Sequence, residues 1–197
     1  MKVIVVGTGT IGTAVGKTLR ENGHEVVSVG RKSGDYQADI SDMESLKKFF
    51  ASIGPFDAVA NAAGDVFPGA FDELIDEQWA KSIAGKGMGQ INVVRAALPH
   101  IADKGSFTLI SGVLTDEYMQ GGAIGTTINH MVEGFVKAAA VELPRGVRIN
   151  CISPTVLAES LAWHAYFTGF APVPSTEVAL AYLRHLAADH GAHFEAA

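Results

Sequence analysis

The chain has 197 residues, 48% of them hydrophobic, which suffices for one well-buried domain spanning 1–197 and is short for two. A formal net charge of −6 argues against nucleic acid as a partner, and no apolar run approaches the roughly 20 residues of a membrane span. The single cysteine, Cys151, excludes a disulfide framework and fits a reducing compartment, so a cytoplasmic address is expected.

A β-branched strand, Val3 to Val6, starts so early that no cleaved leader is expected before it. It runs into Gly7-x-Gly9-x-x-Gly12, with Thr10 and Ile11 between the last two glycines, and then into an amphipathic helix. A strand that stops at glycines and restarts as a helix presents unpaired backbone N–H groups and a positive helix end, which suits a pyrophosphate. Gly7 permits the tight turn, Gly9 lets phosphates approach the backbone, and Gly12 lets helix and strand pack closely. Binding of a dinucleotide is the expectation.

Further along, strands are predicted at 25–29, 36–38, 57–60, 105–111 and 147–151. Helices are predicted at 42–52, 72–84, 87–102, 122–143 and 175–188, with a frayed last strand at 193–195. Ser41-x-x-Glu44 reads as a capping box opening the first of those helices. Such alternation predicts an α/β fold of Rossmann type: a doubly wound parallel sheet of about seven strands with helices on both faces. In helix 122–143, Ile124, Ile128, Met131, Val132, Phe135, Val136 and Val141 spread too widely for one sheet-facing stripe. A homodimer or homotetramer through this helix is therefore expected.

Strand 25–29 ends at Gly30-Arg31-Lys32. An NAD site usually places a carboxylate here for the ribose 2′-hydroxyl; an NADP site removes it and supplies cations for the 2′-phosphate. Glycine stands where the carboxylate would be, and arginine's planar fork matches a phosphate. The expected cofactor is NADP(H), with Asp39 and Ile40 placed to meet the adenine.

The motifs GTGTIG (7–12), GR (30–31), DI (39–40), NAAG (61–64), RAALPHI (95–101), GSFTLIS (105–111) and EGFVKAAAVELPRGVRINCISP (133–154) resemble the short-chain dehydrogenase/reductase family over nearly the whole chain. The resemblance implies a seven-stranded Rossmann sheet, with Asn61, Ala62, Ala63 and Gly64 lining the adenosine side and the loop at Pro154 touching nicotinamide. It also implies a serine, a Tyr-x-x-x-Lys pair and a helix asparagine as catalytic groups. Aligned here, the serine position falls on Gly112, the tyrosine on Gly125, the lysine on Asn129 and the asparagine on Lys86. No Tyr-x-x-x-Lys occurs anywhere in the chain.

The surviving candidates for catalysis are Lys86, Ser111 and Asn129. A desolvated lysine can act as acid or base, although Lys86 also reads as a solvated helix residue. Ser111 lies one residue before the usual serine, so strand alternation turns its hydroxyl away from the site, and it reads equally as a structural residue. Asn129 sits one helical turn from Gly125 on the same face. Thr126, Thr127 and a mobile Tyr118 are lesser candidates. Trp163, His164, Tyr166, Phe167 and Phe170 read either as a lid over an apolar substrate or as a loop docked on the core. His130 should point away from the site. His185, His190 and His193 read as exposed tail residues, so no metal is expected. The leading functional reading is an atypical NADP(H)-dependent oxidoreductase acting on a small carbonyl, imine or activated alkene. The alternatives are a non-catalytic NADP(H)-binding sensor or assembly subunit, and a lyase or isomerase on the same fold.

Overall fold

The computed structural model describes residues 1–187 and 194–196. The alternating valines and isoleucine of β1 (Lys2–Val6) decide the architecture, because both faces of that strand are buried. Ile4 and Val6 enter one apolar cluster with Leu46, Phe50, Val93 and Val136, while Val3 and Val5 enter a second with Val15, Leu19, Val178 and Tyr182. A strand covered on both faces belongs at the centre of a parallel sheet. The sheet is completed by β2 (Glu25–Gly30), β3 (Tyr36–Gln37), β4 (Phe56–Asn61), β5 (Ile101–Ile110), β6 (Arg148–Ser153) and β7 (Phe194–Ala196). Its order is β3-β2-β1-β4-β5-β6-β7, with every pair parallel.

Helices α1 (Thr10–Glu21) and α6 (Ser175–Ala187) contribute to the cluster on one face. The other face is covered by α2 (Met43–Ser52), α4 (Gly89–Ala97) and α5 (Ala123–Glu142), with α3 (Asp76–Ser82) leading into α4. The direction of winding reverses between β1 and β4, so the crevice for a ligand opens at their carboxyl ends, beside Gly7 and Ala62. The buried Tyr182 of α6 fixes that point from below by donating its hydroxyl to the Asn61 carbonyl at 2.7 Å.

Several local expectations are corrected. The cap of α2 is Asp42, whose carboxylate accepts from Glu44 N at 3.0 Å, while Ser41 is bonded to Asp39 instead. The helix expected over 72–84 begins only at Asp76 and passes at Ile83 into a six-residue π-helical segment, Ile83–Met88. The helix expected to reach 102 stops at Ala97, because β5 already pairs with β4 at Ile101 opposite Phe56. Between that pair and the next, Ala58 with Ser106, the register shifts, and Lys104 takes a φ of 60° in the bulge. Past the end of β4, buried Gln90 of α4 takes the place of a neighbouring strand. Its Nε2 donates to the Ile110 carbonyl at 2.7 Å and its Oε1 accepts from Ile110 N at 2.9 Å.

His185 is buried rather than exposed, because it lies on the inner face of α6. His190 and His193 fall outside the described residues. Most of the apolar residues of α5 pack within the chain, so its exposed side is Thr127, His130, Gly134, Lys137, Ala138, Val141 and Glu142. That stripe is smaller and less greasy than the sequence pattern suggested.

Candidate active site

Two glycines of the first turn, Gly7 and Gly12, are demanded by neighbouring backbone. Gly7 has a φ of 103°, and a Cβ there would lie 2.9 Å from Ala63 N. A Cβ on Gly12 would meet the Gly7 carbonyl oxygen at 1.9 Å, while the space beside Gly9 is open. From this turn a groove of about 680 Å³ runs between Arg31, Lys32, Asp39 and Ile40 at one end and Ala62, Ala63 and Gly64 at the other. A cradle that a single Cβ would fill, opening on a helix N-terminus, fits the pyrophosphate of a dinucleotide.

Of the residues singled out for this role, Gly7, Gly9, Arg31, Lys32, Asp39, Ile40, Ala62, Ala63 and Gly64 line the groove. Asn61 is fully buried and shapes the turn after β4, its Oδ1 accepting from Ala63 N at 3.0 Å. Ile11 and Pro154 line the adjoining cavity instead, and Thr10 and Gly12, in the first turn of α1, line neither groove nor cavity.

The end of β2 has no room for a carboxylate. A Cβ on Gly30 would sit 2.6 Å from Thr8 Oγ1 and 2.8 Å from the Ser33 carbonyl oxygen. Thr8 Oγ1 and Ser33 Oγ are 2.6 Å apart and line the groove beside Arg31. Sequence reading missed both hydroxyls; their only signal was adjacency to Gly7 and to Lys32. Asp39 accepts from Ser41 Oγ at 2.6 Å and Ser41 N at 2.9 Å, both at Oδ1. The Ser41 hydroxyl chiefly, with nearby Arg31 adding, holds this carboxyl below its usual range.

Next to the groove lies a cavity of about 200 Å³ whose walls are mostly apolar: Val66, Leu114, Met119, Leu157, Trp163 and Phe167 among them. Gly112 and Gly125 line it where the resemblance would place serine and tyrosine. At each, an added side chain would first meet the tip of a neighbouring side chain, which would have to shift. A Cβ at 112 would be 2.9 Å from Asn129 Nδ2, and one at 125 would be 3.2 Å from Leu114 Cδ1.

The structure brings Lys86, Ser111 and Asn129 together at this cavity. Lys86 projects from the π-helical segment with only 9% exposure, its stem packed on Gly64, where a Cβ would come within 2.7 Å of Lys86 Cγ. Its Nζ donates to the Ser111 carbonyl and to Asn129 Oδ1, each at 2.7 Å. An ammonium has three N–H donors, so one remains for a molecule in the cavity. Burial pulls the Lys86 pKa down to about 8, against the opposing pull of Cys151, Asp65 and Glu133. The Ser111 hydroxyl does not serve the cavity; it donates to buried Glu133 Oε1 at 2.7 Å. Asn129 completes its amide with a 3.3 Å bond to the Gly112 carbonyl.

Of the lesser candidates, Tyr118 is 74% exposed, and the cavity is lined by its neighbour Met119. Thr127 is exposed and bonds back to the Ala123 carbonyl, and exposed His130 does the same to Thr126. From the aromatic stretch, Trp163 and Phe167 reach the cavity. Tyr166 packs at a tilt against Trp163, Phe170 packs edge-on to Phe167, and His164 ties back to the Leu157 carbonyl. No group of three metal-binding side chains occurs among the described residues. Thr155 also lines the cavity, and its buried Oγ1 has no partner among the described residues.

The family described as enoyl-(acyl carrier protein) reductase matches residues 6–188. The chain belongs to the short-chain dehydrogenase/reductase family. It is 38% identical to the protein lin1944 from Listeria innocua, whose crystal structure superposes with a TM-score of 0.94 and 98% of each chain covered. It is 24% identical to 2,3-dihydro-2,3-dihydroxybenzoate dehydrogenase of Bacillus subtilis over 177 residues, 78% of this chain and 68% of that one. A small-chain dehydrogenase solved in complex with NADPH shares the fold, with a TM-score of 0.87 at 24% identity, covering 100% of this chain and 96% of that one. The chain is thus an oxidoreductase of the short-chain dehydrogenase/reductase type, with the Rossmann fold of its relatives. No helix among the described residues is long and apolar enough to cross a membrane.

Proposed function

We propose that the protein is an atypical NADP(H)-dependent reductase in which Lys86, not a tyrosine, handles the proton. The observation that carries this reading is the buried Lys86 ammonium lining the cavity, its stem against Gly64, which borders both cavity and groove, with one N–H uncommitted. The turn at Gly7–Gly12 and the Arg31, Lys32, Thr8 and Ser33 cluster suit a pyrophosphate and a 2′-phosphate, and the fold relative solved with NADPH agrees with that choice. The cofactor supplies a hydride when bound. The chain supplies orientation, exclusion of water by the apolar walls, and a donor within reach of an oxygen or nitrogen that gains charge. Asn129 and the Ser111 carbonyl hold the donor. Activated alkenes and iminium ions need little acid help and suit a site with glycine at both 112 and 125, while a small carbonyl would take its proton from Lys86.

Stopped-flow detection of NADPH oxidation across small ketones, imines and enones tests the reading. At least one class should consume NADPH stoichiometrically. Consumption by none of them gives precedence to a non-catalytic NADP(H)-binding protein or to non-redox chemistry on the same fold.

Self-association through α5 is part of the proposal. The stripe Thr127, Gly134, Ala138 and Val141, with Val141 86% exposed, is small enough for a close isologous helix contact. Light scattering at micromolar concentration should show a dimer or tetramer; a monomer of 20.7 kDa removes this part of the reading.

A further inference from the structure

Glu133 of α5 is 8% exposed, yet it makes no direct ion pair among the described residues. The same is true of Lys86. Two buried opposite charges without a direct contact would each be costly alone. One residue joins them. The Ser111 carbonyl accepts from Lys86 Nζ at 2.7 Å, and the Ser111 hydroxyl donates to Glu133 Oε1 at 2.7 Å. Gln90 fixes the preceding residue, Ile110, through both of its backbone groups, so Ser111 is held from behind as well.

We propose that Glu133, acting through Ser111, is a positioning residue that keeps Lys86 protonated and aimed at the cavity. It touches neither the groove nor the cavity, so it is no part of the binding surface. This inference rests on the reading of Lys86 as the proton-handling group. The shift of serine from position 112 to 111 then has a consequence: its hydroxyl is turned from the cavity to the carboxylate behind it.

The other groups facing Lys86 are few. Asp65, in the loop after β4, is exposed and therefore screened by solvent. Cys151 of β6 is buried, and burial pushes its thiol up to about 11, so it carries no charge at neutral pH. Lys137, one turn after Glu133 on α5, is exposed. Glu133 is thus the buried negative charge that offsets desolvation of the ammonium.

The test is an NMR titration of the Lys86 side chain in the full-length protein, with its resonance assigned by its loss in Lys86→Met. Glu133→Gln keeps an acceptor for Ser111 and removes the charge. Its Lys86 midpoint should fall by roughly one pH unit, a ~10-fold change in proton affinity. Ser111→Ala keeps the charge and removes its tether, and should lower the midpoint by less; it serves if the glutamine variant does not fold. An unchanged midpoint in the folded variant overturns the proposal. The alkaline limb of turnover against pH should move with the midpoint in Glu133→Gln. A midpoint that moves while that limb stays fixed supports the charge coupling and removes Lys86 from proton transfer, so the two readings fail separately.

Discussion

Replacing Lys86 with methionine should lower turnover on an identified substrate by ~10²-fold or more, the lower range for losing a general acid or base. Methionine has nearly the same reach, so it keeps the packing of the stem against Gly64. What it loses is the donor, together with the bonds to the Ser111 carbonyl and Asn129 Oδ1. Affinity for NADPH should be nearly unchanged, because the end of the groove proposed for the phosphates, at Arg31 and Gly7–Gly9, does not include Lys86. In the wild type the acid form is the ammonium, so turnover should fall as pH rises through about 8. Stability carries the opposite sign. The native lysine titrates near 8 and the unfolded one near 10.5, so between those values the unfolded state binds the extra proton and stability rises with pH. Lys86→Met should lack that rise. Full turnover in the variant makes the lysine structural.

The sheet and the glycine turn after β1 were legible in the sequence for a local reason. β1, its glycine turn and α1 are contiguous; Gly12 meets Gly7 within a few residues, and Gly7 meets the equally recognisable NAAG turn. Lys86, Ser111 and Asn129 could be named together because the resemblance aligned them, but their mutual bonds join α5, the residue just after β5 and the π-helical segment. Sequence separations of 25 and 43 residues hide such contacts from any periodic pattern. Glu133 was invisible for the same reason: in α5 it reads as one more polar helix position until Ser111 is seen against it. The end of the helix before β5 was misread because the pairing of Ile101 with Phe56 overrides the helical preference of the residues just before it. The apolar spread of α5 was read as an outer interface. Most of it is instead absorbed by packing within the chain, which a one-dimensional pattern does not separate from contact with a second copy.

NADPH should bind at least ~10-fold more tightly than NADH, and Arg31→Ala should remove most of that preference. A charge-assisted phosphate contact is worth on the order of 1.5–3 kcal/mol, which is ~10- to 100-fold in affinity. Lys32 adds a second cation beside the groove, and Thr8 and Ser33 add hydroxyls that a phosphate oxygen can engage. The preference also has a steric side. A carboxylate that would pair with a 2′-hydroxyl cannot be introduced simply, because a Cβ on Gly30 already collides with Thr8 and with the Ser33 carbonyl. Gly30→Asp should therefore weaken both cofactors, whereas Arg31→Ala should weaken NADPH alone. Calorimetric titration of the wild type and both variants with each cofactor separates the two effects. Equal affinity of the wild type for NADPH and NADH sinks the assignment of the basic turn to the 2′-phosphate, and an Arg31→Ala variant that keeps its preference moves that role to Lys32 and the two hydroxyls.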